Sequence, residues 1–373
     1  MRLSPDERKV EHKKRQIVPL MGNFLKQSKM TSKHSRAMSV FIVCIVIGIS
    51  SLSLRAQTEV AEDDPGQKYK QQVLDACLSN ASVSATVDKT IGQLRGECLK
   101  RLEGGLIDYR NILEEVVDSN PFAISPHRKN YILPLTYSKQ QNDIYASQLN
   151  GETLDNVEVE FQISIKYLIA ENILNENFDL EFGFTSISWW QTYNGGLSAP
   201  FRETNYEPEL ILSYNKAWSI FGLPFKSSFL SLNHQSNGQS GTLSRSWNRI
   251  ISGLTFQHKD WVWRAEIWWR LPEDRKQSKK DARGDDNPNI ERYVGQGQIE
   301  LLWKSSRNHN LQLALRNNLR INNRGSLKLG WSFPLPKKLR GYLQLFNGYG
   351  ESLVGYDRHS SRIGAGILLT DWL

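Results

Sequence analysis

Cysteine is scarce in this chain of 373 residues: Cys44, Cys77 and Cys98 are the only three. None lies beside a histidine pair at metal-ligand spacing, so a zinc module is excluded. No Gly-x-Ser-x-Gly elbow occurs either, since Gly238-Gln-Ser-Gly241 lacks the spacing, and a soluble serine hydrolase built on that strand-turn-helix device has no place to form. Beyond residue 56 no apolar run is long enough for a transmembrane helix. An excess of one charge is also missing from most of the chain. Lys and Arg total 47 against 39 Asp and Glu, but 11 of the former and 3 of the latter fall in residues 1–56, which leaves 36 of each. A neutral body does not attract nucleic acid.

The basic leader runs into an apolar stretch, Met38-Ser-Val-Phe-Ile-Val-Cys-Ile-Val-Ile-Gly-Ile-Ser-Ser-Leu-Ser-Leu54, and then Arg55-Ala56-Gln57. This predicts a secretory signal peptide over residues 1–56 with Met30 as an alternative start, an uncleaved anchor being the other reading. Export gives the cysteines a meaning. After cleavage only Cys77 and Cys98 remain, and an oxidising periplasm favours a bridge between them. Tyr69, Val73, Leu74 and Cys77 keep helical spacing, as do Ile91, Leu94, Cys98 and Leu102. Residues 57–119 are therefore expected to form a short helical periplasmic segment.

From about Asn130 the period becomes two. Val157, Val159, Phe161, Ile163, Ile165, Tyr167 and Ile169 alternate with Glu158, Glu160, Gln162, Ser164 and Lys166, giving one oily and one wet face. Comparable runs recur to the carboxyl terminus, about twelve in all. A soluble sandwich also alternates. Its core could not accept the charged faces, whereas a barrel lumen can. Trp189, Trp190, Trp247, Trp261, Trp263, Trp268 and Trp269 crowd strand ends, as expected of aromatic girdles. The expected fold is all-β, a twelve-stranded antiparallel transmembrane barrel over residues 120–373 with the helical segment before it.

Two adjacent strands carry a chemical grouping. His234 and Ser236 share one face with Leu232 and Leu230, and Asn248 shares its face with Ile250, Ser252 and Leu254. A histidine base, a serine nucleophile and an asparagine that holds the imidazole are thereby placed on the oily side. His-x-Ser alone also suits a polar strand end, and a transport barrel would carry the group incidentally. A transport function, however, needs its polar residues in the lumen. Polar groups facing lipid are costly, and an enzyme that cuts lipids is the function that needs a nucleophile there.

The string from Asn233 to Arg249, with Trp189-Trp190-Gln191 and Ser198-Ala-Pro-Phe-Arg-Glu-Thr-Asn-Tyr-Glu-Pro208, closely resembles the outer membrane phospholipase A family of Gram-negative bacteria. Asn120-Pro-Phe122, Arg270-Leu-Pro-Glu273, Asp285-Asp-Asn-Pro288 and Asn347-Gly-Tyr-Gly-Glu-Ser352 extend the resemblance over roughly residues 120–373. It implies a twelve-stranded barrel in the outer membrane, hydrolysis of phospholipid acyl esters at either position and in lysophospholipids, and activation by calcium and homodimer formation. The family's nucleophile, base and orienting asparagine match Ser236, His234 and Asn248. Its calcium ligands match Ser244, the main-chain carbonyl of Gln239 and Ser198 supplied by a second copy. Gly241 stands where relatives can carry an aspartate of a second calcium site, although Asp285 and Asp286 remain. Ser186 stands where a glutamine can join the dimer contact.

Overall fold

The computed structural model describes residues 65–371 apart from short stretches at 85–88, 104, 121, 140–142, 146–150, 175–176, 217, 221–222, 279–280, 282–283, 306–307 and 337–338. The expected leader over residues 1–56, with Met30, lies outside the described residues.

Twelve long strands follow one another: Asn130–Ser138 (β1), Val157–Ile173 (β2), Phe178–Trp190 (β3), Phe201–Tyr214 (β4), Leu223–Ser236 (β5) and Ser246–His258 (β6) form the first half. Trp261–Arg270 (β7), Gly297–Lys304 (β8), Asn310–Asn317 (β9), Gly325–Pro334 (β10), Arg340–Gly348 (β11) and Ser360–Thr370 (β12) form the second. Each pairs antiparallel with its neighbour in sequence, and β12 pairs with β1, so the sheet closes on itself. Closure leaves no unpaired edge, which a sheet in hydrocarbon requires. Two short strands, Ser125–Pro126 and Trp218–Ile220, flank β2 and β5.

The alternation in the sequence maps onto inside and outside. Ile163, Ile165 and Tyr167 of β2 are exposed, while Glu158, Glu160, Gln162 and Ser164 are buried. A continuous band of exposed Leu, Ile and aromatic side chains around the ring is far more apolar surface than a soluble monomer presents, and lipid is the solvent that suits it. Inside, charges are interlocked. Arg202 and Arg362 both pair with Glu158, and Arg128 and Arg249 both pair with Glu207. A buried ion is tolerable only with such partners.

The aromatic girdle needs correction. Trp190, Trp261, Trp263 and Trp269 reach the outer surface, but Trp189, Trp247 and Trp268 are buried within the barrel. Trp247 and Trp268 meet edge to face and pack with Ile290 and Val294, the latter from the one-turn helix Glu291–Val294 in the segment after β7. Adjacent residues in a strand face opposite ways, so in each of Trp189-Trp190 and Trp268-Trp269 one ring must point in.

Before the barrel, Pro65–Ser84 (α1), Ile91–Leu102 (α2) and Leu106–Asp118 (α3) form a helical segment. Thr90 caps α2 reciprocally with Gln93, and a disulfide joins Cys77 of α1 to Cys98 of α2. Val73, Leu74, Tyr109 and Ile112 pack around that bridge. The segment is not a free appendage. Asp108 pairs with Lys226 at 2.6 Å, Glu114 with Lys166 at 2.9 Å, and the Ile107 N–H donates to Gln257 Oε1 at 3.0 Å. Ile107 also packs on Val262 and Leu302. These barrel residues lie toward the end with the short turns, such as 259–260, so α3 caps that mouth. Gly105 makes the approach possible: its φ is +100° and an added Cβ would lie 2.0 Å from Gln257 Nε2.

Candidate active site

The grouping sits at the opposite end, where longer connections at 139–156, 191–200, 237–245 and 271–296 join the strands. β5 ends at Ser236 and β6 begins at Ser246, and their register sets His234 opposite Asn248 and Ser236 opposite Ser246. The structure brings two of the three residues into contact: His234 Nδ1 and Asn248 Oδ1 are 2.8 Å apart. Ser236 lies on the same outward face two residues along, half-buried, and its hydroxyl makes no hydrogen bond to the imidazole among the described residues. Such bonds often tighten only when substrate is bound. His234 is exposed beside Leu232 and Leu230, both about half exposed, so the histidine opens directly onto the lipid-facing surface.

The inward residues between them form a floor. Asn233, Gln235, Trp247 and Arg249 alternate with the outward three. Arg249 donates to Asn233 Oδ1 at 2.7 Å and to Glu207 Oε1 at 2.9 Å, its guanidinium lies 4.1 Å from the Trp247 ring centroid, and Trp247 Nε1 donates to Gln235 Oε1 at 2.8 Å. Because a strand's two faces share one backbone, fixing the floor fixes the site above it. The sequence did not single out Arg249. Its signal was present in the alternation, as a lone charge beside Asn248 on the wet face.

The connection from Asn237 to Arg245 is pinned by the buried Asn237, whose Oδ1 accepts from the N–H of Gln239 and of Arg245 and whose Nδ2 donates to Leu243 O. Ser244 Oγ donates to Asp286 Oδ2 at 2.8 Å and Ser246 Oγ to the same oxygen at 3.3 Å, while the Lys276 ammonium contacts the other Asp286 oxygen. Asp285 is taken by Arg270 at 2.5 Å. Gln239 and Ser244 thus belong to one connection beside His234, Ser236 and Asn248. Ser198 does not join them within the chain: it is exposed in the connection between β3 and β4, with φ +57° followed by Ala199 at +52°. Among the described residues no cluster of three or more His, Cys, Asp or Glu side chains is arranged for a metal. The available donors are hydroxyl, main-chain and carboxylate oxygens, the hard type that calcium accepts. Ser186 faces outward on β3, as its alternation with the buried Thr185 requires. Gly241 has φ +67° and open space around its Cα, so no side-chain oxygen is offered there.

The family model for Phospholipase A1 matches residues 107–369. The chain belongs to the phospholipase A1 family. Phospholipase A1 of Proteus vulgaris is 35% identical over 263 residues, which cover 70% of this chain and 86% of that relative. Outer membrane phospholipase A from Escherichia coli is similar in structure, with 32% identity, a TM-score of 0.62, and coverage of 68% of this chain and 100% of that one. Its asparagine-to-alanine active-site mutant has also been solved, at a TM-score of 0.61. The outer membrane phospholipase of Salmonella typhi, solved as a dimer with bound calcium, is 32% identical with a TM-score of 0.61, covering 68% of this chain and 94% of that one. This chain is therefore a phospholipase of the Gram-negative outer membrane, held there by its closed barrel.

Proposed function

We propose that the enzyme cleaves acyl esters of phospholipids at both positions, and of lysophospholipids, with Ser236 as nucleophile, His234 as general base and Asn248 as the residue that orients the base. The observation that carries this reading is the 2.8 Å contact between His234 and Asn248 on the lipid-facing surface, with Ser236 on the same face. Asn248 Oδ1 accepts from His234 Nδ1–H, which leaves Nε2 free to take the Ser236 proton. The Ser236 oxygen attacks the acyl carbonyl. His234 returns the proton to the departing alcohol, and water, deprotonated in turn by His234, releases the fatty acid from the acyl-enzyme. Asparagine does this without placing a negative charge beside lipid. That a solved active-site mutant of the E. coli enzyme replaces an asparagine supports the role of Asn248.

The calcium-bound dimer of the S. typhi relative supports a calcium-activated homodimer here. The Ser244 hydroxyl, the Gln239 carbonyl and the partner's Ser198 would hold the ion, and Ser244 would exchange its bond to Asp286 for it. Calcium, when bound, supplies positive charge toward the acyl oxygen as it becomes anionic. Gly241 and the Lys276 contact on Asp286 speak against a second site. We place the leader at residues 1–56, a periplasmic segment at 57–119 and the catalytic barrel at 120–373. Fatty-acid release from mixed phospholipids by the detergent-refolded chain, with and without calcium, tests the reading. Release that needs calcium and vanishes in Ser236→Ala is expected; equal release without calcium contradicts the ion's role.

A further inference from the structure

We infer that Glu273 is a positioning residue for the catalytic base, acting through Asn248; the inference rests on the triad proposed above. Asn248 Nδ2 donates to Glu273 Oε1 at 3.3 Å, on the side of the amide away from His234. A side-chain amide has two orientations of nearly equal shape, with oxygen and nitrogen exchanged, and its partners decide between them. A carboxylate only accepts. It therefore takes the NH2 group and leaves Oδ1 toward the imidazole. His234 must then carry its proton on Nδ1, and Nε2 keeps the lone pair that the serine requires. Without Glu273 the amide can turn over and present NH2 to Nδ1, which selects the tautomer that cannot act as base toward Ser236.

The chain around Glu273 is fixed on both sides. Two residues before it, the Leu271 N–H donates to Asn248 O at 2.8 Å, tying the end of β7 to the same residue whose side chain is being oriented. Pro272 restricts the backbone between them. One residue after it, Asp274 O accepts from the Asp285 N–H at 2.7 Å, and Asp285 is itself held by Arg270. Gly284, at φ +101°, keeps that contact close, since a Cβ there would lie 2.8 Å from Asp274 O. Glu273 is half-buried, and the bond to Asn248 is its one hydrogen bond among the described residues. Its acidic neighbours differ in this respect: Asp285 and Asp286 are both paired with cations.

The test is a double-mutant cycle on the full-length enzyme in mixed micelles with calcium, with heat-dependent gel mobility as the check on folding. Glu273→Ala should lower kcat roughly three- to tenfold with KM little changed, the scale of one lost orienting hydrogen bond. Glu273→Gln, whose amide can donate as well as accept, should recover only part of that loss. In an Asn248→Ala background the Glu273→Ala change should add nothing, because the group it acts through is gone. Parental kcat in Glu273→Ala, or the same loss with and without Asn248, overturns the inference. Failure of the triad itself would look different: His234→Ala would then retain activity whatever Glu273 does.

Discussion

The barrel carries two polar assemblies separated by the thickness of one strand, and they are built on opposite principles. Inside, Glu207 and Glu209 are shared among Arg128, Arg249 and His127, and Asn233 and Ser231 complete their hydrogen bonds. Outside, His234, Ser236 and Asn248 are uncharged or titratable groups at the lipid boundary, joined among themselves by a single contact at 2.8 Å. The inner assembly is saturated and so holds its shape. On the proposed mechanism the outer one keeps capacity for a substrate, so that polar groups stabilise where every bond is made and would catalyse where some are left for the reacting molecule.

Breaking the outer assembly should have the largest effect on activity and almost none on the fold. Ser236→Ala and His234→Ala should each lower fatty-acid release by about 10³-fold or more. Asn248→Ala should cost less, since it removes orientation rather than the nucleophile or base. All three should keep the gel mobility of folded barrel before boiling. A large mobility change in Ser236→Ala would mean that the outer residues are structural after all.

Breaking the inner assembly should reverse the pattern. Arg249→Ala leaves Glu207 with Arg128 alone and removes the plank beneath Asn248; loss of one partner from a buried ion pair costs about 3–5 kcal/mol. The urea midpoint for barrel unfolding should fall sharply. Activity measured on the surviving folded fraction should fall far less than in His234→Ala. An unchanged midpoint would show that the lumen network is not what stiffens the floor.

The proposed partner contribution predicts a smaller, graded signal. Ser236→Ala and Ser198→Ala chains, each poorly active alone at limiting calcium, should regain about a quarter of parental activity when mixed equally as tagged dimers, since half the dimers are mixed and each holds one complete site. Chelation of calcium should abolish the regained activity with the rest. Confirmed mixed dimers without recovery would remove Ser198 from the ion's ligands.

The helical cap at the other mouth should respond least. In Glu114, burial pushes the carboxyl up, but Arg110 and Lys166 outweigh it and hold it at about 2. In Asp118, burial dominates over Lys166 and raises the carboxyl to about 6. The signs oppose. The depressed Glu114 contributes stability above its unfolded value of 4.5 that is lost as pH falls toward 2; the raised Asp118 contributes stability below its unfolded value of 3.8 that is lost as pH rises through 6. Docking of α3 should therefore be firmest near pH 4, between the two unfolded values of 3.8 and 4.5, where both contributions overlap. Amide exchange in α3, corrected for intrinsic rates, checks this, and protection that only rises from pH 3 to 8 would refute the Asp118 part.

Much of this was legible in the chain. The period of two from Asn130 onward gave the barrel, and the offset between Glu158 and Val159 told which face was wet, because strand alternation is a local property. His234, Ser236 and Asn248 could be placed on the oily face by counting from Leu232 and Ile250. Other features depend on closure. That Trp247 and Trp268 meet inside requires the register of β6 with β7 and the packing of 290–294 over both. Lys226, Lys166 and Gln257 come from three strands, and nothing in their local sequence says that one helix reaches them all. Glu273 was visible as part of Arg270-Leu-Pro-Glu273, but its bond to Asn248 exists only because the end of β7 lies against the start of β6.

The proposed chemistry turns on a serine that acts from the outside of the barrel, toward lipid. The most direct test treats the enzyme in phospholipid vesicles with a lipid-soluble fluorophosphonate carrying a long alkyl chain, then maps the labelled peptide. A calcium-dependent adduct on Ser236, absent in His234→Ala and prevented by excess phospholipid substrate, is the predicted result. An adduct on a different serine, or full phospholipase activity with Ser236 unlabelled, would contradict it.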